Sequence, residues 1–174
     1  MANIPYANLS DPAVQPLVDR ITAERGNVLH LYQMLLHAPP VAEGWLTYLT
    51  AIRQKSTLPG ALRELVIMRV AILNGAPYEA DQHAPIALKE GMTQAQLDAL
   101  PSWQDSSLFD DRDRSVLAYT DAMTRNIQVE TQVFEEIRQR FSHRQIVELT
   151  ATVAAYNMVS RFLEALQVHS HDQR

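Results

Sequence analysis

Hydrophobic positions recur every three or four residues along most of the chain, and no window alternates apolar and polar residues as a strand would. The pattern therefore predicts an all-α fold in which each segment presents one apolar face. The predicted helices run from Asp11 to Gly26, from Asn27 to His37, from Val41 to about Lys55, over 58–74, from Pro77 to Glu90, from Thr93 to Leu100, after Asp110, around Phe134, and from Ser142 to Leu166. Residues 1–12 are predicted to form an irregular arm, 101–109 a long loop and 168–174 a frayed tail.

Two helices in the stretch 58–100 form the predicted centre of the fold. They meet at Asn74-Gly75-Ala76-Pro77, where Gly75 can take a positive φ at a helix end and Pro77 suits the first turn of the next helix. A connection this short predicts that the two helices pack antiparallel. The segments 11–57 and 110–167 are then helical extensions of this core.

Composition and charge narrow the class of protein. With 174 residues, 47% of them hydrophobic and 20% charged, the chain is expected to form a single globular domain over 1–174. A formal net charge of -5 disfavours nucleic acid or an anionic membrane as the main partner and leaves a small molecule as the expected one. There is no apolar run long enough to cross a membrane and no signal-peptide pattern, so the expected location is cytoplasmic.

Two carboxylates and an imidazole in the central stretch are the candidate chemistry. Glu79 and His83 are four residues apart and share one helix face, while antiparallel packing brings Glu64 closer to His83 than to Glu79. Burial raises the pKa of a carboxyl group and a helix N-terminus lowers it, so such groups can separate into an acid and a base. The alternative is a surface pair of Glu79 with His83, with Glu64 paired to Arg63 or Arg69.

The stretch RELVIMRVAILNGAPYEADQH, residues 63–83, resembles the signature of the carboxymuconolactone decarboxylase family, which shares an all-helical fold with the alkyl hydroperoxidase D proteins. In the hydroperoxidase branch the motif holds a glutamate, a Cys-x-x-Cys pair and a histidine four residues later. Glu64 matches the glutamate, Ala76 and Glu79 match the cysteines, and His83 matches the histidine. The resemblance thus implies a proton relay without thiols.

The resemblance implies a reaction as well as a fold. The chain contains no cysteine, which disfavours a thiol peroxidase and leaves the decarboxylase side of the family. There His83 would be the proton shuttle, Glu79 would share the proton and Glu64 would orient His83, with no cofactor. A cation would hold the substrate carboxylate, for which Arg69 and Arg161 are candidates, and Tyr78 can line the pocket through its hydroxyl.

Other interpretations stay open at this stage. Glu64, Glu79 and His83 can be compared with an iron or manganese triad, but di-iron bundles use a repeated Glu-x-x-His motif that is not seen here, so no metal is expected. The same three residues can instead form a buried polar network in a non-enzymatic, ligand-binding helical oligomer. Family resemblance implies self-association, as a trimer or hexamer.

The last long helix weakly repeats the first central one. Val147-Glu148-Leu149 aligns with Arg63-Glu64-Leu65, although Leu163 and Gln167 then fall where Glu79 and His83 stand. An old duplication of a helix pair and a coincidence between two helical patterns both explain the match.

Overall fold

The computed structural model of the chain describes residues 1–172 and is all-α, without a strand in that range. The all-α prediction is thereby confirmed. The α-helices are α1 Gln15–Arg25, α2 His30–Leu35, α3 Pro39–Gln54, α4 Gly60–Asn74, α5 Pro77–Lys89, α6 Gln94–Ala99, α7 Asp111–Asn126, α8 Thr131–Arg140 and α9 His143–Leu166, with a 3-10 helix over Leu100–Asp105 between α6 and α7.

Packing divides the chain into two compact units. One consists of residues 1–55 and 163–172, and the other of residues 56–162. In the second unit α4 packs against both α5 and α7, and α7 packs against α8. The prediction of one domain over 1–174 stays a prediction.

Several helix ends form where the residues predicted them. Gly75 adopts the left-handed conformation, with φ 62°, at the C-terminus of α4. Thr93 and Gln96 form a reciprocal capping box at the start of α6. The Asp110 carboxylate accepts a hydrogen bond from the backbone N–H of Asp113, which caps α7, and Ser142 and Gln145 bond to each other at the start of α9.

Three predicted boundaries are wrong. Helix α1 begins at Gln15 rather than at Asp11-Pro12. The Asp11 carboxylate accepts a hydrogen bond from the backbone N–H of Ala13, which stabilises a turn before the helix. Helix α2 covers only His30–Leu35, well short of the predicted Asn27–His37. Part of the predicted 101–109 loop is helical, since Leu100–Asp105 forms a 3-10 helix that buries Trp103.

Residues 168–172 are held by packing and hydrogen bonds, so the prediction of a frayed tail over 168–174 is wrong for them; the last two residues lie outside the described range. Val168 is buried, and the Tyr6 hydroxyl donates to the Asp172 carboxylate at 2.6 Å. That hydrogen bond, opposed by burial, lowers the pKa of Asp172. The tail is thus fixed to the N-terminal arm within the first unit.

Helix α9 does not repeat the turn between α4 and α5. In the alignment of Glu148 with Glu64, the residues of α9 that correspond to Gly75, Ala76 and Pro77 are Val159, Ser160 and Arg161, and the helix continues through them unbroken to Leu166. The turn between α4 and α5 therefore has no counterpart in α9, and the duplication stays a prediction.

Candidate acid–base site

The antiparallel pair α4 and α5 builds the site. The chain reverses at Gly75, where the backbone N–H of Ala76 bonds to the carbonyl of Ala71 and closes the end of α4. Three polar side chains then lie inside the pair, with Glu64 0%, Glu79 2% and His83 7% exposed. These belong to the unit of residues 56–162.

Glu64 and His83 are in direct contact. The Glu64 Oε2 atom lies 2.6 Å from the His83 Nδ1 atom, in the range of a charge-assisted hydrogen bond. With a carboxylate as its neighbour, Nδ1 is the ring nitrogen that donates its proton to Glu64, and Nε2 is the one that can exchange a proton elsewhere. The predicted contact between Glu64 and His83 is present in the structure.

Arg63 is the cation beside this pair. Its Nε donates to Glu64 Oε1 at a distance of 3.2 Å. Its Nη2 donates to Oε1 of Glu90, at the C-terminal end of α5, at a distance of 3.3 Å. Gly60 leaves room for the Glu90 carboxylate, because a Cβ at Gly60 would collide with it. Glu90, Arg63, Glu64 and His83 thus form a continuous chain of polar contacts across the two helices.

Glu79 is held by the last long helix. The Ser160 hydroxyl donates to Glu79 Oε2 at 2.5 Å and lies 2.8 Å from the backbone carbonyl of Tyr156. The rings of Tyr156 and His83 meet edge to face, with centroids 5.1 Å apart and an interplanar angle of 90°. Helix α9 therefore closes the site through Ser160 and Tyr156.

The proposed substrate arginines are engaged elsewhere. Arg69 is 1% exposed and forms a two-pronged ion pair with Asp121, with Nε–Oδ1 2.6 Å and Nη2–Oδ2 2.7 Å. The alternative in which Arg69 pairs with Glu64 is wrong. Arg161 bonds to the Asn157 side chain and carbonyl on its own helix, with Nη1 at 2.7 Å and 3.0 Å. Tyr78, the residue before Glu79 in the sequence, is buried.

Within residues 1–172, no three or more His, Asp or Glu side chains are grouped so that they could hold a metal ion. Glu64, Glu79 and His83 lie on two helices, where Arg63 contacts Glu64 and Ser160 contacts Glu79. What this arrangement can do chemically is move a proton. The buried Glu64 carboxylate bonds to Nδ1 of His83, and the Glu79 carboxyl group lies one helical turn from His83 on α5.

Comparison with known proteins agrees with the motif and the fold. Residues 39–122 match the carboxymuconolactone decarboxylase family, a range that includes α4 and α5 with all three site residues. Over this range, which is just under half of its length, the chain is similar to the members of this family. An uncharacterized relative, YdfG of Bacillus subtilis, is 23% identical over 115 residues, which are 65% of this chain and 78% of YdfG.

Solved structures share the fold. An uncharacterized peroxidase-related protein from Ralstonia eutropha JMP134, with an alkylhydroperoxidase AhpD core, superimposes with a TM-score of 0.84 at 16% identity over 98% of this chain and 93% of its own. A variant of the debrominase Bmp8, in complex with 2,3,4-tribromopyrrole, gives a TM-score of 0.81 at 18% identity over 96% of this chain and 90% of its own. At these identities the likeness shows the AhpD-like fold alone.

No helix in the described range is long and apolar enough to cross a membrane.

Proposed function

We propose that the chain is a cofactor-independent decarboxylase, or a related proton-transfer lyase, acting on a small carboxylated or lactone substrate. The observation that carries the proposal is the 2.6 Å contact between Glu64 Oε2 and His83 Nδ1, with the Glu64 carboxylate fully buried. A buried carboxylate strengthens its partner as a base and stabilises the imidazolium that forms when the ring takes up a second proton. The similarity of residues 39–122 to the carboxymuconolactone decarboxylase family supports the reaction class.

The proposed step needs only acid–base chemistry. The bond between the substrate carbon and its carboxylate breaks, CO2 leaves, and the electron pair passes into a conjugated carbonyl as an enolate. His83 Nε2 then gives its proton to the carbon, and solvent restores that proton. Glu64 keeps the ring oriented through Nδ1, and Glu79, one turn along α5, shares the exchangeable proton.

The contacts of three arginines support a different cation for this proposal. Arg69 is occupied by Asp121 and Arg161 by Asn157, whereas Arg63 contacts the acid–base pair through Glu64. We therefore assign Arg63 to holding Glu64 in its charged form, and neither Arg69 nor Arg161 to the substrate carboxylate. A guanidinium stabilises a buried carboxylate because it can donate hydrogen bonds and cannot lose its charge under ordinary conditions.

Thiol-based peroxide reduction is the disfavoured alternative. The structurally similar Ralstonia protein is described as peroxidase-related, but this chain has no cysteine, and a thiolate is needed to attack the peroxide. Position 79 holds a glutamate where the hydroperoxidase motif places its second cysteine.

The proposal is tested by CO2 release from a panel of carboxylated lactones and β-keto acids, with wild type, His83→Gln and the control His143→Gln. His143 is an exposed histidine in the first turn of α9. Loss of the proton donor is expected to slow CO2 release by about 100-fold or more, while the control keeps the wild-type rate.

Equal rates in wild type and His83→Gln would contradict the proposal. A second assay supplies wild type with an organic hydroperoxide. Consumption of the hydroperoxide by this cysteine-free chain would contradict the decarboxylase proposal and indicate a peroxidase that works without thiols. No turnover of any substrate would favour the ligand-binding oligomer instead.

A further inference from the structure

The Ser160 hydroxyl lies between two acceptors in the interior of the second unit. Glu79 Oε2 is 2.5 Å from its Oγ atom, and the backbone carbonyl oxygen of Tyr156 is 2.8 Å away. Ser160 is fully buried and Glu79 is 2% exposed. A hydroxyl carries a single proton, so it can donate fully to only one of the two at a time.

This arrangement suits a carboxyl group that changes its charge. While Glu79 is a carboxylate, the hydroxyl donates to Oε2. When Glu79 carries a proton, the hydroxyl can rotate to donate to the Tyr156 carbonyl, and its oxygen then accepts the hydrogen bond from the protonated Glu79. Both charge states keep a hydrogen bond, which matters because an unsatisfied buried polar group is costly.

Arg63, which contacts Glu64, differs from the Ser160 hydroxyl in that it cannot accept a hydrogen bond. The Arg63 guanidinium can only donate, so it favours the charged form of Glu64 at all times. The two carboxyl groups of the site therefore differ in what their partners permit. Glu64 has a partner suited to a fixed charge, and Glu79 has one suited to an exchangeable proton.

We propose that Ser160 is a positioning residue that allows the buried Glu79 to gain and lose a proton without losing its hydrogen bond. This inference rests on the proposed function, in which Glu79 shares a proton with His83. The ionisable groups of the site that face Glu79 include His83, one turn further along α5, and Tyr156 on α9, whose ring contacts His83. From α4, Glu64 contacts His83 and Arg63 contacts Glu64.

The test compares Ser160→Thr with Ser160→Val, which have nearly the same size and differ only in hydroxyl against methyl. The probe is the side-chain carboxyl carbon resonance of Glu79 in protein labelled with 13C-glutamate, assigned by its absence in Glu79→Gln. Ser160→Thr is expected to titrate as wild type does. Ser160→Val is expected to titrate at a midpoint higher by about one pH unit, because the charged form loses the stronger hydrogen bond.

Because this measurement needs no substrate, its outcome is separate from that of the CO2 assay. Equal midpoints in the two variants, or a Glu79 resonance that stays in one charge state across the whole stable pH range, would overturn the role of Ser160 even if CO2 release is observed. If Ser160→Val does not fold, Ser160→Ala removes the hydroxyl without adding bulk, and the same upward shift is expected relative to wild type.

Discussion

Asp121→Ala is expected to lower the free energy of unfolding by about 3–5 kcal/mol, the largest stability loss predicted for this chain. Its carboxylate pairs with both Nε and Nη2 of Arg69, and the Trp103 indole N–H also donates to it at 3.3 Å. Arg69 is 1% exposed, so removing Asp121 leaves a buried guanidinium that has two neutral partners among residues 1–172, the Leu100 and Pro101 carbonyls. Urea unfolding measures the loss.

Two variants make this prediction specific. Asp105→Ala removes an exposed carboxylate from the same region and should change stability by about 0.5 kcal/mol or less. The double variant Arg69→Met, Asp121→Ala removes both charges and should recover part of the loss, because no buried charge is left unpaired. A cost for Asp121→Ala no larger than that of Asp105→Ala would mean that Arg69 has no buried ion pair and is again available to a substrate.

Glu148 should make the stability of the chain depend on acid pH. Burial raises the pKa of Glu148, but hydrogen bonds from the Thr57 hydroxyl, Arg144, the Thr57 backbone and Ser56 outweigh it and lower the pKa from 4.5 to about 2. Because the pKa is lowered on folding, the carboxylate contributes stability above pH 4.5 that is lost as the pH falls toward 2. Its contribution at neutral pH is about 2 kcal/mol, less than the full pKa shift implies, because water screens a group near the surface.

Glu148→Gln measures this contribution. The variant should be less stable than wild type by up to about 2 kcal/mol at neutral pH, and the gap should close as the pH falls from 4.5 toward 2. The control Glu136→Gln breaks an exposed pair with Arg140 on α8 and should cost about 0.5 kcal/mol. Urea unfolding over a pH series measures the difference in stability between wild type and Glu148→Gln. A difference that does not change with pH would contradict the lowered pKa of Glu148.

This second prediction also concerns the site. Glu148 binds Ser56 and Thr57, the residues that lead into α4, and α4 carries Arg63 and Glu64. Its hydrogen bonds therefore connect α9 to the start of the helix that presents the acid–base pair.

The sequence predicts the central helix pair because the information is local. Apolar spacing defines α4 and α5, and Gly75 and Pro77 mark the turn between them. Once the pair is antiparallel, Glu64 must face the region of His83, and this contact is observed. Helical phase also explains the error over Arg69. It follows Glu64 by five positions, which is about 140° around the helix, so it faces α7 and Asp121 instead.

The partners contributed by α9 could not be predicted in the same way. Ser160 and Glu79 are 81 residues apart, and no local pattern brings them together. The available signal is a polar residue on the apolar face of α9, between the buried Tyr156 and Leu163. A serine at such a position commonly bonds to the carbonyl four residues before it, as Ser160 also does with Tyr156. The sequence offers Arg63 as a partner of Glu64, but the contact of Arg63 with Glu90 depends on the packing of α4 against the end of α5.

The central claim is that Glu64 and His83 form a buried acid–base pair, and 15N NMR of the histidine rings tests it most directly. We predict that Nδ1 of His83 keeps its proton at every pH at which the protein is folded, while Nε2 gains and loses one. In Glu64→Gln the midpoint of that titration should move to lower pH, because the imidazolium loses its carboxylate partner, and the exposed His143 in the same spectrum should not change. An unprotonated Nδ1 in wild type, or the same midpoint in both proteins, would contradict the account.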